Sequence, residues 1–116
     1  MRPIPIKMRE EMANDPFMHR CIYAHIGKGF DCEGRIEWEH CFNYAGKQIN
    51  EPWAIVGCCT HHHRGAGLDK DFNRFMAIMR ADISDLQIRM PKHDWQQTKK
   101  YLSQKYQGVV IGGRAY

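Results

Sequence analysis

The chain has 116 residues, 43% of them hydrophobic and 26% charged, which is enough for one compact domain and too few for two. The longest apolar run, Trp53 to Cys59, is far too short to cross a membrane, and the N-terminus lacks the apolar region of a signal peptide. We therefore expect a soluble cytosolic protein, in which the odd number of five cysteines argues against disulfide bonds.

The first half of the chain predicts a helix, a loop and a strand. Lys7 to Ala13 is expected to be helical and to end before Pro16, because the residue before proline is forced out of the helical region. Cys21 to Cys32 contains Gly27, Gly29 and Asp31 and predicts a loop. Gly34 to His40 alternates apolar and polar residues, a pattern that predicts a strand with Ile36 and Trp38 on one face and Arg35, Glu37 and Glu39 on the other.

The second half predicts a buried strand followed by helices. A loop over Phe42 to Pro52 leads to a strand at Trp53 to Cys59, and a helix opens at His61 to His63. Helices are predicted at Asp69 to Arg80, where apolar residues recur at helical spacing, and at Asp94 to Tyr106, where Asp94 and Gln97 form a capping box. The apolar tail from Val109 to Gly113 is either a short strand or an apolar strap.

Cysteine and histidine are concentrated in one part of the sequence. Five of the seven histidines lie between His25 and His63, a window that also holds four of the five cysteines. Cys59 and His62 are separated by two residues, which allows a tight turn to direct both side chains at one ion. Cys21 and Cys32 are the candidates for the other two ligands of a tetrahedral zinc site. His25 is an alternative to either of them, and a register shifted by one residue replaces Cys59 and His62 with Cys58 and His61.

Three further residues are suited to phosphodiester chemistry. Glu39 and His40 end one predicted strand, and His63 begins the helix after the other, so the three side chains meet if the two strands pair as a hairpin. A carboxylate and an imidazole bind a divalent cation that withdraws charge from a phosphate, and a second imidazole accepts a proton from water.

The series Glu39-His40, Asn50, Cys59 and His62-His63 resembles the HNH, or ββα-metal, endonucleases, over a stretch from about Cys21 to Arg64. Within that stretch the sequence is also similar to small HNH-like proteins of bacteriophages, which act in the cytoplasm of a bacterial host. The resemblance implies that His40 is the general base, that Glu39 and His63 bind the catalytic Mg²⁺ or Mn²⁺, and that Cys59 and His62 are zinc ligands. Asn50 is the nearest match to the family asparagine, with Asn43 next, and it lies further from the second strand than is usual.

A basic C-terminal region adds a candidate surface for DNA. From Arg89 to Tyr116 the sequence holds six Lys or Arg residues and one acid, and such a face suits a polyanion. The expected phosphate contacts are Arg64, Lys92, Lys99, Lys100 and Lys105.

Together these patterns predict a single α+β domain over residues 1–116, with a zinc-anchored ββα-metal core at about 21–66 and a helical, basic part at about 67–116. The expected function is metal-dependent hydrolysis of DNA phosphodiester bonds, with branched or otherwise structured DNA among the candidate substrates. The alternative is a non-catalytic zinc module that binds nucleic acid or protein. The oligomeric state is left open, and no membrane partner is expected.

Overall fold

The chain folds into helices and short antiparallel sheets, and the computed structural model describes residues 4–28, 31–44, 46–64, 69–107, 109–111 and 114–116. The α-helices within these ranges are α1 (Ile6–Ala13), α2 (Ile22–His25), α3 (Thr60–Arg64), α4 (Lys70–Arg80), α5 (Ile83–Arg89) and α6 (Trp95–Lys105). The strands are β1 (Ile36–His40), β2 (Asn43–Tyr44), β3 (Lys47–Gln48), β4 (Ile55–Cys59), β5 (Val110–Ile111) and β6 (Arg114–Ala115). The predicted α+β class is confirmed.

Strands β1 and β4 form the antiparallel pair that organises the molecule, with Ile36 opposite Cys59 and His40 opposite Ile55. Since residues directly opposite one another share a face, Glu37 and Glu39 lie on the face of Cys58 and Val56. Cys59 lies on the other face. The strand passes directly into α3, so consecutive side chains at this junction are directed to opposite sides of the hairpin.

A glycine allows β1 to begin close to α3. Gly34 has a φ of 85°, in the left-handed region that favours glycine, and an added Cβ would lie 2.5 Å from the Thr60 hydroxyl oxygen. The Thr60 hydroxyl donates a hydrogen bond to the carbonyl of Arg35. The start of the first strand and the start of α3 are thereby held together.

The segment between β1 and β4 is more ordered than the predicted loop. Strands β2 and β3 pair as a small hairpin, and the Ile49 N–H donates to the Phe42 carbonyl. A 3₁₀ turn over Pro52–Ala54 follows, so the second long strand begins at Ile55 and not at Trp53 as predicted. The small hairpin brings the chain back on itself and places Asn50 beside the end of β1.

Helix α4 covers the carboxylate-bearing face of the hairpin through Phe72, Phe75 and Met76, which pack in one core cluster with Val56 and Cys58. The predicted cap of α6 is present, because Asp94 accepts a hydrogen bond from the Gln97 N–H, and Asp69 caps α4 in the same way by accepting from the Phe72 N–H. A second apolar cluster joins α4, α5 and α6 around Leu86 and Trp95.

Two helices depart from the predicted elements. α2 forms a single turn inside the predicted loop from Cys21 to Cys32, and α5 occupies a stretch for which no element was predicted. The tail forms a two-stranded pair between β5 and β6, although Gly112 and Gly113 lie outside the described residues.

The predicted boundary between the metal-binding core and the helical C-terminal part, near residue 66, also lies outside the described residues. Among the described helices, none combines the length and apolarity needed to span a bilayer.

Candidate functional site

Four side chains that are distant in sequence meet beside the first turn of α3. The Nδ1 atom of His62 lies 3.0 Å from the Sγ of Cys59, 3.5 Å from that of Cys21 and 3.6 Å from that of Cys32. The four potential ligand atoms all lie within 4.8 Å of one another. Cys21 precedes α2, Cys32 precedes β1, and Cys59 ends β4, so this Cys/His cluster joins three parts of the chain. It can hold a metal ion.

The distances and the donor types fit zinc. A tetrahedral site with Zn–S of about 2.3 Å and Zn–N of about 2.0 Å has S···N edges of about 3.5 Å, close to the distances from His62 Nδ1 to Cys21 and Cys32. Burial raises the pKa of the Cys59 thiol, but hydrogen bonds from the backbone N–H groups of His62 and Glu33, together with the contacts of the His62 ring and Cys32, outweigh it and lower that pKa to about 6. Burial and the nearby thiols of Cys21 and Cys59 raise the pKa of Cys32 to about 12. A cation among the sulfurs removes this mutual repulsion of thiolates.

The alternative ligands considered from the sequence lie elsewhere. Cys58 is fully buried in the core between the hairpin and α4. His25 stacks on Phe17, with its Nε2 3.3 Å from the Phe17 carbonyl oxygen. His61 meets Asp31. Among the described residues, the three-thiol set is therefore the one that includes Cys59 and His62, while Asp31, His61 and His62 form a second, adjoining group that is close enough to hold an ion.

Asp31 supports the cluster from outside. One of its carboxylate oxygens lies 3.0 Å from Nε2 of His62, and the other lies 3.3 Å from Nε2 of His61. A carboxylate that accepts from Nε2–H fixes the ring and leaves the Nδ1 lone pair for a metal. The predictions from sequence missed this residue. Its position next to Cys32 was the available signal, but nothing in the sequence showed that the loop folds over His62.

A second polar cluster lies on the opposite face of the hairpin, where His63 meets two carboxylates. Its Nδ1 lies 2.8 Å from Glu37 and its Nε2 lies 2.5 Å from Glu39. The hydrogen bond from His63 lowers the pKa of Glu37, and the two-pronged contact of Arg64 with the same carboxylate lowers it further. We call these residues the His63 cluster. The alternation along β1, which puts Glu37 on the face of Glu39, was the signal that could have identified Glu37.

The end of β1 carries a second imidazole that the structure pairs with Asn50. The Nε2 atom of His40 lies 2.6 Å from the Oδ1 atom of Asn50. Because an amide oxygen only accepts hydrogen bonds, this contact assigns the proton to Nε2 and leaves the basic lone pair at Nδ1. His40 lies outside the Cys/His cluster. Together with Glu39 and Asn43, it lines a cavity of about 390 Å³.

The first turns of α4 form the other wall of this cavity with Lys70, Asp71, Asn73 and Arg74. Asn73 is buried and accepts a hydrogen bond from Tyr23, while its Nδ2 finds no hydrogen-bond partner among the described residues. From the sequence, α4 was interpreted only as a core helix. The polar positions between its apolar residues were the signal that it also faces a site.

The five predicted phosphate contacts have different surroundings. Lys92 and Lys105 line a large cleft, and Lys100 is exposed on α6 without lining it. The ammonium of Lys99 donates to the backbone carbonyls of Ala81 and Met79 at the end of α4, so it stabilises a helix terminus. The guanidinium of Arg64 is paired with Glu37. Lys99 and Arg64 are therefore left out of the proposed DNA surface, and so is Lys100, which leaves Lys92 and Lys105 of the five.

Comparisons of this chain with models of protein families, with curated proteins and with solved structures find no match. The assignment of function rests on the geometry of the two clusters and the cavity beside them.

Proposed function

We propose that the chain is a metal-dependent endonuclease of the HNH type that hydrolyses phosphodiester bonds in DNA. One observation carries the proposal: Glu39 contacts His63 and lines the same cavity as the Asn50-bound His40. One member of the proposed metal-binding pair, Glu39, therefore borders the same cavity as the positioned base, and the other member, His63, contacts Glu39.

In this proposal the Cys/His cluster is a structural zinc site. Four nitrogen and sulfur ligands complete a tetrahedron and leave no position for a substrate. The ion ties the segment before α2 and the start of β1 to the junction of β4 and α3. It therefore holds Glu39 and His63 at their mutual distance without taking part in the reaction.

His40 acts as the general base. Its Nδ1 lone pair takes a proton from the water that attacks phosphorus, and the bond from phosphorus to the leaving oxygen breaks. Asn50 keeps the ring in the required tautomer by accepting from Nε2–H. A positioned base of this kind contributes about 10²- to 10⁴-fold to the rate.

Glu39 and His63 are the proposed ligands of the catalytic Mg²⁺ or Mn²⁺. The Glu39 carboxylate and Nε2 of His63, which contact each other here, would hold the ion in place of their shared proton, and Mg²⁺ would prefer oxygen for its remaining ligands. When bound, the ion withdraws charge from the phosphate and stabilises the leaving oxygen. Glu37 and Arg64 position the His63 ring from its other side.

The phosphate itself is held by basic residues of α4. Lys70 and Arg74 are exposed and line the cavity with Glu39 and His40. Their charges offset those of Glu39 and Asp71, which also border it, and draw the scissile phosphate towards the base.

Nicking of supercoiled plasmid DNA in the presence of Mg²⁺ or Mn²⁺ tests the proposal. We expect His40→Ala to lower the rate by about 10²- to 10⁴-fold while zinc content, thermal unfolding and DNA binding stay as in the wild type. His19→Ala, at an exposed histidine outside the site, is the matched control and should cleave normally. Metal-independent cleavage, or an unchanged rate in His40→Ala, would contradict the assignment.

A non-catalytic zinc module that binds nucleic acid or protein is the second candidate. It is favoured by the ion pairs of the His63 cluster, which satisfy His63, Glu37 and Arg64 through one another. In that case, the purified protein binds DNA or a protein without cleaving DNA at any Mg²⁺ or Mn²⁺ concentration. His40→Ala then lowers the stability of the fold or the zinc content.

A further inference from the structure

A large cleft of about 920 Å³ lies between α4, the turn at 91–93 and α6, and adjoins the cavity beside His40. Arg74 and Asp71 line both spaces. A polymer whose phosphate lies at His40 can therefore continue past Arg74 into this cleft.

Two tyrosines of the cleft are unusually exposed. Tyr101 is 61% exposed and Tyr44 is 45% exposed, and both line this cleft. Among the described Phe, Tyr and Trp residues, these two are the most exposed. Neither tyrosine belongs to the nearby hydrophobic core, which is filled by Trp95, Leu86 and their neighbours. Exposed aromatic faces at a groove are typical of stacking platforms for unpaired bases.

The charges of the cleft suit a phosphate backbone. Arg74, Lys92 and Lys105 line it, against the single acid Asp71. These basic residues come from α4, the turn at 91–93 and α6, so positive charge surrounds the tyrosines on several sides. Alternating cationic and aromatic side chains bind a nucleic acid strand through its phosphates and its bases together.

We infer that this cleft binds single-stranded DNA that adjoins the scissile phosphate, with bases stacked on Tyr101 and Tyr44 and phosphates held by Arg74, Lys92 and Lys105. The inference rests on the proposed endonuclease function and names its substrate class. Paired DNA is not the expected occupant, because the faces of its bases are covered by neighbouring base pairs. An unpaired segment leaves them available to a tyrosine.

Fluorescence anisotropy with the full-length, zinc-loaded chain tests the inference in the absence of Mg²⁺ and Mn²⁺, so that nothing is cleaved. The probe is fluorescein-labelled oligo-dT of about 16 nucleotides, compared with a duplex of the same length. We expect Tyr101→Ala to weaken oligo-dT binding by about 5- to 150-fold, and Tyr101→Phe to restore it, because phenylalanine retains the stacking face.

Two lysines of the same helix provide a matched pair. Lys105→Ala should lower the slope of log affinity against log salt concentration by about 0.7, as expected for one lost contact with a single strand. Lys100→Ala should leave the slope unchanged, because Lys100 carries the same charge on α6 and does not line the cleft.

The outcomes separate this inference from the proposed function. If oligo-dT binding depends on Tyr101 but no DNA is cleaved, the result would support single-strand binding in the cleft and overturn the proposed endonuclease function. Cleavage that requires His40, combined with unchanged oligo-dT affinity in Tyr101→Ala, would overturn the cleft alone. Equal affinity for the duplex, or tighter binding of oligo-rU than of oligo-dT, would also contradict the assignment to single-stranded DNA.

Discussion

His62 and His63 are neighbours in sequence, yet their rings lie in chemically different surroundings. His62 is 4% exposed and faces three thiols, with one carboxylate behind it. The side chain of His63 is 26% exposed and lies between the carboxylates of Glu37 and Glu39. Sulfur-rich, closed sites select zinc, whereas carboxylate-rich and partly open sites suit Mg²⁺ or Mn²⁺.

The difference follows from backbone geometry at one junction. Successive side chains of a strand alternate between faces, and successive residues of a helix are rotated by about 100°. Where β4 runs into α3, Cys59 and His62 fall on one side of the hairpin and His63 falls on the other. A short stretch of sequence thus serves two clusters of opposite ligand chemistry.

The largest effect is expected from a change in the Cys/His cluster, where loss of one ligand should unfold the protein. Cys59→Ser removes a ligand that is 1% exposed, and structural zinc contributes about 10–16 kcal/mol in small domains, against a total stability of about 5–15 kcal/mol. We expect loss of zinc by elemental analysis and loss of a cooperative thermal transition by circular dichroism.

Cys58→Ala is the matched control, since Cys58 is equally buried but faces α4. It should keep its zinc and lose about 1–2 kcal/mol of stability. If the two variants behave alike, the cluster is an apolar core and not a metal site.

Asp31 should have a smaller effect on the same side. Asp31→Ala leaves the four ligands in place but removes the acceptor for His62 Nε2, so zinc affinity should fall by about 10- to 100-fold in a competition with a chromogenic chelator. Asp31→Asn retains an acceptor oxygen and should be intermediate. Glu33→Ala, at the exposed acid on the other side of Cys32, should match the wild type.

The sequence predicted most of the elements that carry the site, for an identifiable reason. The alternation in β1, the apolar run of β4, the apolar spacing in α4 and the cap Asp94 are local signals, and local patterns determine these elements. The spacing of Cys59 and His62 is local too. The four expected zinc ligands, which span the distance from Cys21 to His62, converge as they were grouped from sequence.

The residues that sequence reasoning missed depend on contacts between distant segments. Asp31 reaches His62 only because its loop folds over α3, and Arg74 faces the cavity only because α4 crosses the hairpin. Lys99 shows the reverse case, in which a basic pattern suggests a solvated cation but tertiary packing places it on the α4 carbonyls. Charge patterns along a chain do not specify which end of a neighbouring helix a side chain meets.

Glu37 should have the smallest effect, on the carboxylate side. Glu37→Gln removes the charge that faces His63 Nδ1 and Arg64 but leaves Glu39 in place. We expect cleavage to fall only several-fold, with zinc content unchanged, because Glu37 positions a ligand and does not bind the ion. A plasmid-nicking time course measures this. A loss as large as that of His40→Ala would instead make Glu37 part of the catalytic machinery.

The most direct test of two separate metal chemistries compares His62→Ala with His63→Ala, with zinc content, circular dichroism and the Mn²⁺ dependence of plasmid nicking measured on each. We predict that His62→Ala loses zinc and unfolds, and that His62→Cys regains both through its thiolate. We predict that His63→Ala keeps its zinc and its fold, needs more Mn²⁺ for cleavage, and recovers part of its activity in excess Mn²⁺. The account is contradicted if His62→Ala stays folded with full zinc, or if His63→Ala cleaves with the Mn²⁺ dependence of the wild type.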